Sequence, residues 1–393
     1  MMLIRFLLFC CLLMSETAIA DSQVYIWQRV WRADHRQALH QSHDLFSTLR
    51  VLGLQIHPQE GTRVARVDTR LLQQDGRPVW LVARLDGSLT RLNAAALQAQ
   101  VTPIIDNWRA AGVNLRGLEI DYDAPTSRLG DYQQLLSALR PALPADMTLS
   151  ITALPTWLSS AQLKGLLATV DSSVLQVHSV LSPDKGLFDP ALAQRWSQQY
   201  SLIAPHRFYL ALPAYGSALF SAPGRTAQVE SESSLRIAGD RQELSVSPQQ
   251  VDTFTRGLEE KPPKNFAGVV WFRLPLASDT RAWSLTTLAA VIHHQPLTAR
   301  WQWLTRRDAQ NASADSALYE LAVKNVGTID APPPATINLN ADDCLAADGV
   351  GDYRFSEQAF HLTTPALLRA GQTRAVGWAR CPKPPQGEFH DSP

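Results

Sequence analysis

Three acidic residues alternate along one predicted strand, Leu115–Asp123. Alternate residues of a strand share a face, so Glu119, Asp121 and Asp123 point to one side and the apolar residues between them to the other. Carboxyl groups that crowd together raise each other's proton affinity, which keeps one of them protonated near neutral pH. A strand end that only caps the next helix needs one such residue rather than three. The pattern therefore predicts general acid–base catalysis.

Other polar and aromatic side chains lie near the ends of neighbouring predicted strands. By alternation, these candidates face the same side as the acidic row: Trp27, Arg29, Gln55, His57, Arg84 and Asp86. Aromatic and guanidinium groups suit the faces and hydroxyl groups of sugars. The alternative for each is packing inside the fold. Of this set, we expect Trp27, Arg84 and Asp86 to bind substrate, with Asp86 favoured because Gly87 follows it.

From Ser22 to about Pro296, short β-branched or aromatic runs alternate with longer amphipathic runs, which is typical of βα units around a parallel sheet. The strand candidates are Val24–Trp31, Val51–His57, Val79–Asp86, Leu115–Asp123, Thr148–Pro155, Ser173–Val180, Arg207–Ala214 and Gly268–Leu274. Eight such units predict a (β/α)8 TIM barrel, which typically has ~250 residues. The alternative, a doubly wound open sheet, usually carries a Gly-rich phosphate loop after its first strand, and the sequence has none there.

The last hundred residues have a different pattern. After about Thr298 helical periodicity fades, and short strand-like runs are separated by turn residues such as Pro332-Pro333-Pro334. This predicts a small antiparallel β-sandwich domain at 298–393 that follows a barrel domain at 21–297. Cys344 and Cys381 both lie in this region. In an exported chain an even number of cysteines favours a disulfide, with two separate buried thiols as the alternative.

Residues 1–20 have the pattern of a secretory signal peptide. A positively charged start precedes the apolar run Phe6–Met14, and a small-x-small cleavage pattern ends at residue 20. The run is about half of the ~20 residues that a membrane span needs. Cys10 or Cys11 could carry a lipid anchor, but large residues precede both. We expect a mature chain that begins near Asp21, has no membrane span and is periplasmic or extracellular.

The composition excludes several classes of function. Lys and Arg number 36 and Asp and Glu also number 36, so the formal charge is zero and no basic excess is present to bind nucleic acid. The sequence has no phosphate-binding loop and no nucleophile elbow of the form G-x-S-x-G. We expect a monomer without a cofactor or a metal. The alternative is a metal site made from Glu119, Asp121, Asp123 and His178.

The acidic strand resembles the fourth-strand motif of family-18 glycoside hydrolases, the chitinase-like family, which has the form D-G-x-D-x-D-x-E. Gly117 falls on the glycine of the motif, and Glu119, Asp121 and Asp123 fall on its last three acids. The resemblance implies that Asp123 protonates the glycosidic oxygen and that Asp121 orients the acetamido group of the substrate. Three positions depart from the motif, with Arg116 in place of the first Asp, Glu119 in place of the second Asp and Asp123 in place of Glu.

Three later segments resemble further strands of the same family. Residues 174–178 resemble its sixth strand, with His178 where the family carries a Tyr, and residues 210–216 resemble its seventh. Residues 266–271 resemble its eighth strand, in which a Trp floors the sugar subsite. The substrate-binding residues implied in these segments are Gln176, His178, Tyr215 and Trp271. The whole pattern is most similar to exported bacterial proteins of unknown function with a glycosidase-like barrel.

Together, these observations predict an exported protein that hydrolyses glycosidic bonds of a polysaccharide or oligosaccharide at the end of the fourth barrel strand. The long connection Ser217–Ser247 should form a wall of the substrate cleft, since it lies on the catalytic side of a barrel. The alternative is a non-catalytic, lectin-like barrel that binds glycans. Such a protein would keep aromatic side chains in the cleft and tolerate Asp in place of Glu at position 123.

Overall fold

The computed structural model describes residues 21–178, 186–221, 228–230, 240–279, 281–312, 315–340, 343–364 and 366–390. The predicted signal peptide, the last two residues of the predicted strand Ser173–Val180 and parts of the Ser217–Ser247 connection lie outside these ranges. Among the described residues, no helix is both long and apolar enough to cross a membrane.

The elements of the described residues are numbered in chain order. The helices are α1 Ala33–Gln41, α2 Thr69–Asp75, α3 Ala94–Ala110, α4 Leu129–Leu139, α5 Leu163–Leu167, α6 Pro190–Ile203, α7 Pro248–Glu260 and α8 Leu285–Ile292. The strands as far as residue 272 are β1 Asp21–Ile26, β2 Thr48–His57, β3 Gly61–Val64, β4 Val79–Leu85, β5 Leu115–Tyr122, β6 Thr148–Ala153, β7 Ser172–Gln176, β8 Arg207–Pro213, β9 Ser217–Ser221, β10 Gln228–Glu230, β11 Asp240–Leu244 and β12 Phe266–Phe272. The later strands are β13 Trp301–Ala312, β14 Ala317–Asn325, β15 Thr336–Asn340, β16 Ala346–Gly349, β17 Tyr353–Ser356, β18 Ala359–Leu362, β19 Thr373–Cys381 and β20 Gln386–His390.

Eight parallel strands close into a barrel in the order β1-β2-β4-β5-β6-β7-β8-β12, because β1 pairs with both β2 and β12. This confirms the predicted (β/α)8 fold, and each of the eight predicted runs overlaps one of these strands. The larger core lies between the strands and the surrounding helices. A smaller cluster fills the barrel interior with Tyr25, Val82, Val174, Tyr209, Ala211 and Val270.

One further strand and one small sheet extend the barrel. β3 is antiparallel to β2 and forms a hairpin at the rim. β10, β9 and β11 form a three-stranded antiparallel sheet in that order within the long connection after β8. This sheet begins directly after Tyr215 and Gly216, at the carboxyl ends of the barrel strands, where barrel enzymes carry their active sites.

The C-terminal part consists of two four-stranded antiparallel sheets, β13-β14-β19-β16 and β17-β18-β15-β20. Their facing sides share an apolar core that includes Tyr319, Val323, Ile337 and Phe360, which confirms the predicted β-sandwich. A disulfide joins Cys344 to Cys381, as predicted. The exact boundary between the domains at 297 and 298 stays a prediction.

Candidate active site

The acidic row of β5 runs from the barrel interior to its open end, and the exposure of its side chains increases along it. The side chain of Glu119 is completely buried, that of Asp121 is 2% exposed and that of Asp123 is 34% exposed. The apolar residues between them pack against the helices, as the alternation predicts. At the start of the row, Gly117 leaves room for the Trp80 ring, which lies 2.5 Å from the position of an added Cβ. The row therefore places one carboxylate within reach of a ligand.

Glu119 belongs to a buried ionic group. It accepts a 2.7 Å hydrogen bond from the Tyr25 hydroxyl and pairs with the Arg50 guanidinium, which lies over the rings of Trp80 and Tyr209. Burial raises the pKa of Glu119, and the charge of Arg50 opposes that shift. The predicted catalytic role of Glu119 needs correction, because a fully enclosed carboxylate with fixed partners cannot contact a substrate.

Asp121 is held by three neighbours from three strands. Thr152 on β6 donates to its Oδ1 at 2.6 Å, and Gln176 on β7 donates to the same oxygen at 3.3 Å. Arg84 on β4 donates to its Oδ2 at 2.6 Å. A carboxylate with both oxygens occupied in this way has a fixed orientation, which suits an electrostatic or orienting role rather than proton transfer.

Asp123 is held by Arg84 through one oxygen only, at 2.5 Å, and its Oδ1 accepts no hydrogen bond from the described residues. Burial and the negative charge of Asp121 raise the pKa of Asp123, while the charge of Arg84 acts in the opposite direction. Burial alone would lower the pKa of Arg84, but the charges of the two aspartates raise it, so the guanidinium stays protonated. Asp123 therefore combines an elevated proton affinity with a partly exposed side chain, and its Oδ1, which accepts no hydrogen bond from the described residues, is itself buried.

Aromatic side chains surround the space beside these acids. His178 stacks on Phe272 with a centroid distance of 5.2 Å and meets the edge of Tyr215 at 6.0 Å. Phe272 also contacts Trp27 at 5.2 Å. Burial lowers the pKa of His178 to about 4, so its imidazole is neutral at physiological pH. The cluster offers flat apolar surface and an uncharged hydrogen-bonding group.

Trp271 does not join this cluster, and its predicted place in the sugar subsite is wrong. It lies in register with Val24 and Leu212, whose side chains pack in the layer between strands and helices. It is 2% exposed, and its Nε1 donates to Ser22 at 3.0 Å. The next residue, Phe272, faces the cleft instead, because successive residues of a strand point to opposite faces.

The remaining candidates lie at the rim or beyond it. Asp86 accepts a hydrogen bond from the Ser88 amide at 2.9 Å, and His57 lies 3.6 Å from its other oxygen. Hydrogen bonds from Ser88 lower the pKa of Asp86, so it is an ionised acceptor. Gln55 lies beside Arg84 in the sheet, whereas Arg29 is exposed after the end of β1.

Sequence reasoning missed Arg50, Thr152, Tyr25 and Phe272. A signal existed for Arg50, the one charged residue within the apolar run of β2, but the predicted strand began after it.

Among the described residues, no three His, Cys, Asp or Glu side chains converge as metal ligands, and Arg84 lies between the two aspartates that the alternative metal site would need.

Two solved structures resemble the chain with a TM-score of 0.50. One is the spore cortex-lytic enzyme SleL of Bacillus cereus, with 14% identity over 65% of this chain and 71% of that chain. The other is a chitinase from Chromobacterium violaceum, with 12% identity over 70% of this chain and 98% of that chain. At these identities the similarity establishes the barrel fold alone. No curated protein matches the sequence.

Family models match both parts of the chain. A domain of unknown function, DUF8456, matches residues 308–382 in the C-terminal sandwich. A second, DUF3142, matches residues 75–277, which include the acidic row, the aromatic cluster and most of the barrel. Since this match spans more than half of the sequence, the chain belongs to the DUF3142 family.

Proposed function

We propose that the protein is an exported glycoside hydrolase that cleaves a polysaccharide or oligosaccharide in the cleft at the carboxyl ends of the barrel strands. The observation that carries this proposal is the pair formed by Asp121 and Asp123. One carboxylate has both oxygens occupied, while the other has a raised pKa and an oxygen that accepts no hydrogen bond from the described residues. Glycoside hydrolysis needs one proton donor and one carboxylate that stays ionised.

The roles follow from the geometry. Asp123 donates its proton to the glycosidic oxygen as the bond from that oxygen to the anomeric carbon breaks, and then accepts a proton from the attacking water. Asp121 stabilises the positive charge that develops on the sugar, directly or through a substrate acetamido group that it orients. Phe272, Tyr215 and Trp27 provide surface on which sugar rings stack. Gln176 and His178 provide hydrogen bonds without adding charge.

The structural neighbours support a polysaccharide substrate, because one is a chitinase and the other a spore cortex-lytic enzyme. The signal-peptide pattern of residues 1–20 supports export, which would bring the mature protein to the glycans of the cell envelope or its surroundings. The long connection after β8, with its small sheet β9–β11, would form a wall of the cleft. We propose that the chain acts as a monomer with domains at 21–297 and 298–393.

A second candidate is a barrel that binds glycans without cleaving them. The observation that favours it is the 2.5 Å contact between the Arg84 guanidinium and Asp123, because an ion pair stabilises the ionised carboxylate and opposes proton donation. Asp is also one methylene shorter than the Glu of the resembled motif, and a catalytic group displaced by about 1 Å can lose much of its effect.

A glycan array followed by product analysis separates the two functions. The wild type, Asp123→Asn and the control Asp146→Asn should be compared, since Asp146 is an exposed acid paired with Arg109 away from the cleft. For a hydrolase, wild type and control bind and cleave the same glycan, and Asp123→Asn binds it while cleaving about 100- to 10,000-fold more slowly. Binding without cleavage by all three identifies the lectin-like function. If the protein neither binds nor cleaves any glycan, both candidate functions are contradicted.

A further inference from the structure

The loop that follows β12 lies against the segment that carries Tyr215. Tyr215 forms an antiparallel bridge with Ala282. On either side of this bridge, the Gly216 amide donates to the Arg281 carbonyl at 2.7 Å and the Trp283 amide donates to the Ala214 carbonyl at 3.0 Å. The loop therefore fixes the backbone of an aromatic residue of the cleft.

The contact at Gly216 is too close for any other residue. A Cβ at this position would lie 2.7 Å from the carbonyl oxygen of Leu244 and 3.3 Å from that of Arg281. The indole of Trp283, which is buried, donates to the Val246 carbonyl at 3.0 Å on the same side. The segment that carries Tyr215 is thus enclosed between the loop and the end of β11 with the residues that follow it.

The C-terminal sandwich holds the other side of this loop. Arg369 donates from Nη1 to the Leu276 carbonyl at 3.1 Å and from Nη2 to the Ala282 carbonyl at 3.4 Å. One guanidinium therefore joins two points that are six residues apart along the loop. The planar, forked donor group of Arg suits such a double contact, whereas a Lys ammonium provides a single charged point on a flexible stem.

A second residue of the sandwich secures the end of the loop. The carboxylate of Asp330 accepts from the Ser284 amide at 2.7 Å and from the Ala370 amide at 2.8 Å. The backbone amide of Asp330 donates to the Thr287 hydroxyl at 3.1 Å. Asp330 thereby connects the N-terminus of α8 to the residue that follows Arg369. A sandwich that was only tethered to the barrel would need none of these contacts.

We propose that the C-terminal sandwich is a structural part of the cleft and that Arg369 is a positioning residue for Tyr215. Arg369 fixes the carbonyl of Ala282, Ala282 pairs with Tyr215, and Tyr215 contacts His178 and Phe272 within the aromatic cluster. The effect on the backbone is independent of what the cleft binds. The effect on glycan binding rests on the proposed function.

Hydrogen exchange measured by mass spectrometry on the full chain tests the backbone effect. In Arg369→Gln, peptides that contain the amides of Gly216 and Trp283 should exchange roughly tenfold faster, because hydrogen bonds from a charged group to two carbonyls are lost. Arg374→Gln is the matched control, since Arg374 donates to carbonyls at 3.3 and 3.2 Å within its own domain. The control should leave both peptides unchanged, and Arg369→Lys should lie between the two variants.

Glycan kinetics on the same variants test the consequence for the cleft. Arg369→Gln should raise KM about three- to tenfold with little change in kcat, because Tyr215 contributes binding surface rather than proton transfer. Unchanged exchange in Arg369→Gln, or equal acceleration in Arg374→Gln, overturns the proposal. Faster exchange with an unchanged KM overturns the role of Arg369 in glycan binding. Faster exchange in a protein that binds no glycan contradicts the proposed function and leaves the positioning of Tyr215 supported.

Discussion

Two arginine–carboxylate groups lie at successive depths of the barrel, and they differ in their access to a ligand. The lower group joins Arg50, Glu119 and Tyr25, and all three side chains are buried. The upper group joins Arg84 to Asp121 and Asp123, and about a third of the Asp123 side chain is exposed. The same chemical pairing supports the barrel in one place and can serve reactivity in the other, because a carboxylate must reach solvent or substrate to exchange a proton.

The largest expected effect comes from breaking the lower group. Arg50→Met leaves Glu119 buried without its charged partner, so the free energy of unfolding should fall by about 3–5 kcal/mol in urea denaturation. The control Arg109→Met removes an exposed pair and should cost at most about 1 kcal/mol. The double change of Arg50→Met with Glu119→Leu should recover most of the loss, since no buried charge remains. Equal losses for Arg50→Met and the control would contradict the comparison.

Adjacent residues on β12 extend the comparison between structural and binding positions. Phe272→Leu should weaken glycan binding about three- to tenfold, because a stacking surface in the cleft is lost. Trp271→Leu should leave glycan affinity unchanged while lowering the free energy of unfolding by about 2 kcal/mol, because it opens a cavity under the helices. Isothermal titration and urea denaturation of both variants provide the measurements. Reversed effects would restore Trp271 to the sugar subsite.

Removing the cation of the upper group should move the pH dependence of hydrolysis. The charge of Arg84 opposes the raised pKa of Asp123, so Arg84→Met raises that pKa further. The protonated donor then persists to higher pH, and the basic limb of the kcat/KM profile should shift upward. Arg84→Lys keeps the charge and should shift the limb less. A downward shift in Arg84→Met would exclude Asp123 as the proton donor.

The smallest effect is expected at His178. Its pKa of about 4 means that the imidazole is already neutral above pH 5, so it contributes no titration between pH 5 and 8. His178→Phe keeps an aromatic ring against Phe272 and should leave the shape of the pH–rate profile unchanged in that range. Loss of a limb near pH 6 in this variant would show that His178, rather than the acid pair, exchanges the proton.

Local sequence patterns were sufficient to predict the architecture of the chain. The eight runs of the barrel and the row on β5 depend on alternation within short segments, and alternation is a property that neighbouring residues impose on one another through backbone geometry. The C-terminal pairing of Cys344 and Cys381 needed only the compartment and the count of cysteines. The predicted barrel and disulfide are confirmed, and both were inferred from short segments or from composition. The signal peptide at residues 1–20 and the exact domain limits stay predictions.

The chemistry of the row depends on partners that are distant in sequence. Glu119 and Asp123 are both acids on one strand face, yet only the closed barrel places Arg50 beside one and Arg84 beside the other. Alternation likewise predicts that Trp271 and Phe272 face opposite sides but leaves open which of them faces inward. A shift of one residue in strand register reverses the two faces, and the register is set by pairing with neighbouring strands. The sequence alone therefore determined which residue types alternate on each strand, whereas the tertiary structure decided which of them is buried, paired or exposed, because burial and charge pairing arise only when distant strands come together.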